Sequence, residues 1–197
     1  MFIADRENNL IRVFSKNGQE KHHFGNQGNG QLCRPIGIAV DSQNIIVSDT
    51  DQHRIQVFGK DGTFVRQFGS FGNGLGQFRY PNGIALVDDH ILVADTDNHR
   101  IQVFRKDGKL VRMFGSKGNG DGQLNMPIGV ETDGKHIFVA DRDNHRIQIF
   151  GRDGTFILKF GSQGNGDGQF QFPRIVAVDG NHIIVADSGN HRIQIFE

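Results

Sequence analysis

An all-β fold assembled from repeated four-stranded sheets is what this sequence predicts, and three observations predict it. Asp49, Asp95, Asp141 and Asp187 recur every 46 residues, each inside a near-copy of the same text, and Asp5 lies 44 residues ahead of the first of them. The apolar runs are five or six residues long, rich in Ile, Val and Phe, and separated by Gly, Asn and Asp. That is strand and turn punctuation, with no helical stripe. A period of this length belongs to arrays whose units depend on one another to bury their apolar faces.

The second unit shows the elements in order. Strand a runs from Ile36 to Val40, b from Asn44 to Ser48, c from Arg54 to Phe58 and d from Thr63 to Phe68. Between b and c lies Asp-Thr-Asp-Gln-His; between c and d, Gly-Lys-Asp-Gly sets Gly62 where a positive φ costs least. A long glycine-rich loop, Gly-Ser-Phe-Gly-Asn-Gly-Leu-Gly-Gln-Phe-Arg-Tyr-Pro, leads to the next a strand. The first unit is two residues shorter there: Phe24 to Pro35 is 11 positions, Phe68 to Pro81 is 13. The chain divides as one domain, 1–197, into a partial unit 1–35, units 36–81, 82–127 and 128–173, and a terminal three-strand unit 174–197, eighteen strands in all.

Strands a and c carry apolar residues on both faces, which a lone four-stranded sheet cannot bury. Blades packed face to face around an axis solve this, so the prediction is a β-propeller of four-stranded antiparallel blades. The positions two and four after each loop proline are Gly37 and Ala39, Gly83 and Ala85, Gly129 and Glu131, then Ile175 and Ala177. Small residues there suit the crowded inner part of a ring. A solenoid is the weaker reading, since the strands alternate in hairpins and no parallel rung repeats.

Composition narrows the function. Lys plus Arg and Asp plus Glu both total 22, so no net field draws in nucleic acid or an anionic membrane, and any charged partner meets a local patch. The single cysteine, Cys33, excludes an internal disulfide framework and a multi-cysteine zinc site and fits a reducing, cytoplasmic setting. No apolar run is long enough to span a bilayer, so no membrane partner is expected.

Asn-His-Arg-Ile-Gln-Val-Phe at Asn98 to Phe104, with Asn-His-Arg-Ile-Gln-Ile-Phe at Asn144 to Phe150 and Asn190 to Phe196, resembles the NHL repeat. The Phe-Gly-Ser-x-Gly-x-Gly-x-Gly-Gln-Phe-x-x-Pro linkers resemble those of the tripartite-motif (TRIM) NHL proteins. The resemblance implies a six-bladed propeller that binds RNA or protein, carried in TRIM parents behind the RING, B-box and coiled coil of a ubiquitin ligase. Those cysteine-rich modules are not in this sequence. Against such a ring the chain supplies about four and a half blades, and stopping after strand c of the last blade, as family members do, implies a native C-terminus and a truncated N-terminus. The unpaired edges would invite self-association.

Candidate chemistry recurs with the repeat. Arg54, Arg100, Arg146 and Arg192 each follow their aspartate (Asp49, Asp95, Asp141, Asp187) by five residues across the b–c turn, a spacing for structural ion pairs between adjacent strands. His53, His99, His145 and His191 occupy the same turns, and His90, His136 and His182 open strands b. Residues spread once per blade do not converge on one ion, so turn hydrogen bonding is the expectation. Gly-Asn-Gly-Asp-Gly at Gly118 to Gly122 and Gly164 to Gly168 has oxygen ligands for calcium, but the loops at Gly28 and Gly74 lack the Asp. A phosphate cradle is rejected, because a strand follows where a helix N-terminus is needed. No cofactor, metal or catalytic set is expected. The enzymatic alternative is a metal-dependent propeller lyase or hydrolase resembling the peptide-amidating lyases, with Glu131 the one acid near the channel.

Binding is better sought where the repeats disagree. Around the loop prolines the chain varies: Arg34 and Ile36, Tyr80 and Asn82, Met126 and Ile128, Phe172 and Arg174. With Arg79 these place cations and stacking rings on the face that bears the b–c turns, chemistry that single-stranded RNA uses and that a protein could share. Asp51, Asp97, Asp121, Asp143 and Asp167 on that face oppose the attraction.

Overall fold

The computed structural model describes residues 1–197 and contains eighteen strands in five antiparallel sheets, with four three-residue 3-10 turns as its only helical pieces. The first sheet holds β1 (Phe2–Asp5), β2 (Leu10–Phe14) and β3 (Glu20–Phe24). Three four-stranded sheets follow. The second holds β4 (Pro35–Val40), β5 (Asn44–Asp49), β6 (Arg54–Gly59) and β7 (Phe64–Phe68). The third holds β8 (Pro81–Val87), β9 (His90–Asp95), β10 (Arg100–Arg105) and β11 (Leu110–Phe114). The fourth holds β12 (Pro127–Thr132), β13 (His136–Asp141), β14 (Arg146–Gly151) and β15 (Phe156–Phe160). The last has β16 (Pro173–Asp179), β17 (His182–Asp187) and β18 (Arg192–Phe196). The sheets are successive blades of a propeller: β4, β8, β12 and β16 lie side by side as inner strands, and β1 stands next to β4.

Strand count and order agree with the repeat arithmetic, and the boundaries shift by one residue. The a strands begin at their prolines, where a missing N–H costs nothing at the first position of a strand, and the ladder is irregular just beyond (Pro35/Ile38, Pro81/Ile84). The b strands extend to Asp49 and its equivalents, because each aspartate pairs directly with its arginine across the turn.

The core lies between blades. Ile11, Val13 and Phe24 of the first blade and Leu32 of the following loop meet Ile45, Val47 and Phe58 of the second, and the next three seams repeat the arrangement. Every long loop drives one apolar residue (Leu32, Phe78, Leu124, Phe170) into a seam. The last Phe of each outer strand stacks on the next blade, with ring centroids 4.8–5.0 Å apart for Phe24–Phe58, Phe68–Phe104, Phe114–Phe150 and Phe160–Phe196. Glycine is required where inner strands meet: a Cβ on Gly129 would stand 2.6 Å from the Arg174 carbonyl oxygen, and one on Gly37 or Gly83 would press on the carbonyl of Asn82 or Ile128.

Candidate functional site

The b–c turns organise one face of the molecule. Asp49, Asp95, Asp141 and Asp187 are fully buried. At Asp95, Oδ1 accepts the Arg79 backbone N–H at 2.8 Å, while Oδ2 accepts Arg100 Nε at 2.7 Å and Gln102 Nε2 at 3.0 Å. Arg100 then donates to the carbonyls of Asn73, Gly74 and Gln77 in the long loop. Arg146 and Arg192 repeat this grip on their own loops, and Arg54 reaches Gln31 O. A buried carboxylate is thus matched by charge-assisted donors, and the glycine loop is tied to the turn it lies on.

Three of the four turn histidines, His53, His99 and His145, act between blades, beyond the hydrogen bonding within a turn that their spacing suggests. Each sits in the left-handed region, φ 53–54°, and closes its 3-10 turn. Nδ1 of His53, His99 and His145 accepts the backbone N–H of Tyr80, Met126 and Phe172 at 3.1, 3.1 and 3.2 Å. This leaves the ring proton on Nε2. In the first unit Asn9 Oδ1 does the same for Arg34 N–H at 2.7 Å. Burial, followed by the charge of Lys117, lowers the pKa of His99 and keeps it a neutral acceptor.

The clasped residues Arg34, Tyr80, Met126 and Phe172 all have φ of 50–53° immediately before proline, a conformation non-glycine residues adopt at a cost. The backbone is constant at these positions while the side chain changes from unit to unit. Arg34, Tyr80 and Met126 line a basin of about 490 Å³ to which all five blades contribute residues.

Of the residues singled out by sequence variation, Arg34, Tyr80, Asn82, Met126 and Arg174 line this basin, and Phe172 and Arg174 line an adjoining hollow with Arg142. Tyr80 and Phe172 are exposed, their rings 4.7 Å from His53 and His145. Two residues differ from expectation. Asn82 is buried, its Nδ2 donating to Tyr80 O and Thr96 Oγ1 at 2.9 and 2.7 Å, so it braces the wall and leaves little free to read a ligand. Arg79 lies outside the basin, its guanidinium 5.2 Å from the centre of the Phe71 ring.

Sequence reasoning missed Arg6 and Arg142. Both follow the repeat aspartate, where other units have Thr50, Thr96 and Ser188, so the disagreement between repeats was there to be read. Thr50 and Thr96 donate to the carbonyls of Pro81 and Pro127 of the next blade at 2.8 and 2.7 Å, whereas Arg142 pairs with Asp143 and lines the basin. Arg34 meets Asp51 at 3.4 Å; Arg6 and Arg174 form no ion pair. Asp121 of the glycine loop is paired with Lys159.

Glu131, expected near the channel, shares its face of β12 with Gly129 and its cross-strand partner Phe138, which packs in the seam to the last blade. Burial pushes its carboxyl above the usual range against one bond from Thr132 N–H. It is not among the basin residues.

Antiparallel blades packed face to face around an axis define a β-propeller. The NHL repeat model matches residues 32–58, 78–104, 124–150 and 170–196, and the chain belongs to the NHL-repeat family. No curated protein matches the sequence. Among solved structures it is similar to a virginiamycin B lyase from Staphylococcus aureus (17% identity, TM-score 0.70) over 99% of this chain and 65% of that one. A streptogramin B lyase gives 17% identity and TM-score 0.72 over 100% and 64%. A catalytically inactive Staphylococcus aureus virginiamycin B lyase with quinupristin gives 18% and 0.71 over 99% and 65%. The chain thus spans about 65% of the length of these enzymes, and at such identity the likeness concerns the fold alone.

Proposed function

We propose that this propeller is a recognition module without chemistry of its own, which binds RNA or protein through its loop face. In this reading it is the target-binding part of a TRIM-type ubiquitin ligase in the cytoplasm. One observation carries the binding role: side chains that differ between units stand on a backbone that does not, three of them at one basin and Phe172 at the hollow beside it. Residues that fold the blades repeat, and those that read a ligand need not.

Single-stranded RNA is the version the rim chemistry favours. Arg174 and Arg6 offer guanidinium groups free of carboxylates, and Tyr80 and Phe172 present exposed rings as stacking platforms. The test is titration of a fluorescein-labelled single-stranded RNA of random sequence. Arg174→Ala and Tyr80→Ala each weaken binding about tenfold, within the range of one lost stacking or phosphate contact. The arginine change also lowers the salt slope by about one. Unchanged affinity in both variants overturns the RNA version; capture of a protein partner that survives nuclease and is lost with the same substitutions moves the assignment to protein.

A further inference from the structure

The glycine loop between the first two blades is two residues shorter than the others, and the shortening falls on Arg54 and Gln56 of β6. In the third blade Arg100 donates from Nη1 and Nη2 to Asn73 O and Gly74 O at 3.0 and 2.7 Å; in the fourth, Arg146 does so to Asn119 O and Gly120 O at 2.8 Å each. Arg54 has no such pair. It donates to Asp49 Oδ2, Gln67 Oε1 and Gln31 O, so two of its five N–H donors are unused. Its side chain is 23% exposed, against 9% for Arg100 and 7% for Arg146. Gln56 shows the same deficit: Oε1 of Gln102, Gln148 and Gln194 accepts a loop glycine N–H at 3.0–3.1 Å, while the buried Gln56 Oε1 accepts none.

A cleft of about 630 Å³ opens where the longer loops lie in the other blades, lined by Gly28, Gln31, Arg54, Phe64, Arg66 and Gln67 among others. Arg66 of β7 adds a second cation. Its Nε is buried without a partner, and its guanidinium makes no ion pair. No carboxylate lines the cleft. Asp49, buried behind Arg54, neutralises one of the two guanidinium groups, which leaves a single positive charge facing the opening. Two oxygens placed against Arg54 Nη1 and Nη2, on a group of one negative charge, would restore what the sister blades have, and a carboxylate meets a guanidinium fork in that way.

We propose that the Arg54–Arg66 cleft is a binding site for a carboxylate, of the kind a glutamate of an acidic peptide carries. The carboxylate oxygens take the place of the two loop carbonyls on Arg54, Arg66 supplies the second charged contact, and the Gln67 amide, held through Oε1, keeps its NH2 for a ligand oxygen. Phe64 gives the methylene groups of the side chain an apolar wall. The site is separate from the axial basin, shares no residue with it, and does not rest on the loop-face reading.

NMR of the arginine Nε–H groups, with acetyl-glutamate amide titrated into the chain, tests it. The Arg54 and Arg66 signals should shift and saturate with a dissociation constant of about 1 mM, the scale of one bidentate charged contact, while Arg100 and Arg146 stay still. Arg66→Gln should weaken binding about tenfold. Replacing Asn26 and Gln27 by the four residues Ser-Gln-Gly-Asn of 162–165 gives the loop its full length and should abolish binding, because the loop's own carbonyls then occupy Arg54. Should that variant fold poorly by circular dichroism, Arg66→Gln decides alone. Absence of saturable shifts at Arg54 and Arg66 overturns the proposal, as do equal shifts with the neutral acetyl-glutamine amide or undiminished binding in Arg66→Gln. Tighter binding of inorganic phosphate than of the glutamate probe overturns the choice of carboxylate.

Discussion

The third and fifth blades carry nearly the same text and have different physical fates. Ile101 and Val103 of β10 have no exposed surface, whereas Ile193 and Ile195 of β18, at the same repeat positions, are about 60% exposed. Asp95 and Asp187 accept the same kinds of donors, yet their acidities move in opposite directions. For the apolar side chains what differs is the neighbour. A blade of this propeller makes its own hydrogen-bond ladder but not its own core; the core is supplied by the next blade, as the four seam clusters show. Stability is therefore distributed along the chain as seam terms, the regime of repeat arrays.

The sharpest way to break the comparison is to exchange the inner-strand residues. Gly83→Ile puts a branched side chain against the Ile128 carbonyl and should cost about 3 kcal/mol, the upper range for overpacking. Ile175→Gly removes a side chain that nothing covers and should cost under about 1 kcal/mol, the strand penalty of glycine. Denaturant midpoints read both, and equal losses would mean that the third seam is as open as the last face.

A smaller gradient should follow the arginines. Arg100→Ala leaves Asp95 buried and frees three loop carbonyls, a loss of about 3 kcal/mol for a broken buried pair. Arg192 makes the same bond to Asp187, but its side chain is partly in water, so Arg192→Ala should cost about 1 kcal/mol. A larger loss at Arg192 would put the weight of the fold in the terminal blade.

How much of this was legible in the sequence depends on whether the cause was periodic. The strands, the Asp–Arg spacing and the crowded Gly37, Gly83 and Gly129 all recur, and recurrence exposes them. The rim was legible as the positions where recurrence fails, which found Arg34, Tyr80, Met126 and Arg174 and, read one turn further, would have found Arg142. Two things could not be read. The left-handed φ of Arg34, Tyr80, Met126 and Phe172 is imposed by an acceptor on the previous blade, a contact between residues about 27 positions apart, as in Tyr80 to His53. The engagement of Asn82 by Thr96, at the end of the adjacent strand of the same blade, was hidden too, since a polar side chain beside a loop proline looks free until the fold brings its partner.

The finest test of the comparison is titration. At Asp95 burial outweighs the bonds from Arg79 N–H, Asn98 and Arg100 and raises the carboxyl above its ordinary 3.8. At Asp187 burial acts in the same sense, but it loses to the bonds from Gln171 N–H, Asn190 and Arg192, and the value falls below 3.8. The two therefore pull stability in opposite directions. The folded state holds the Asp95 proton more tightly than the unfolded chain does, so this contribution declines as pH rises from 3.8 through the folded value. The Asp187 contribution is complete above 3.8 and is lost as pH falls through the folded value. Carboxyl-carbon NMR should find Asp95 titrating above Asp187, and a coincident pair would overturn the opposite signs.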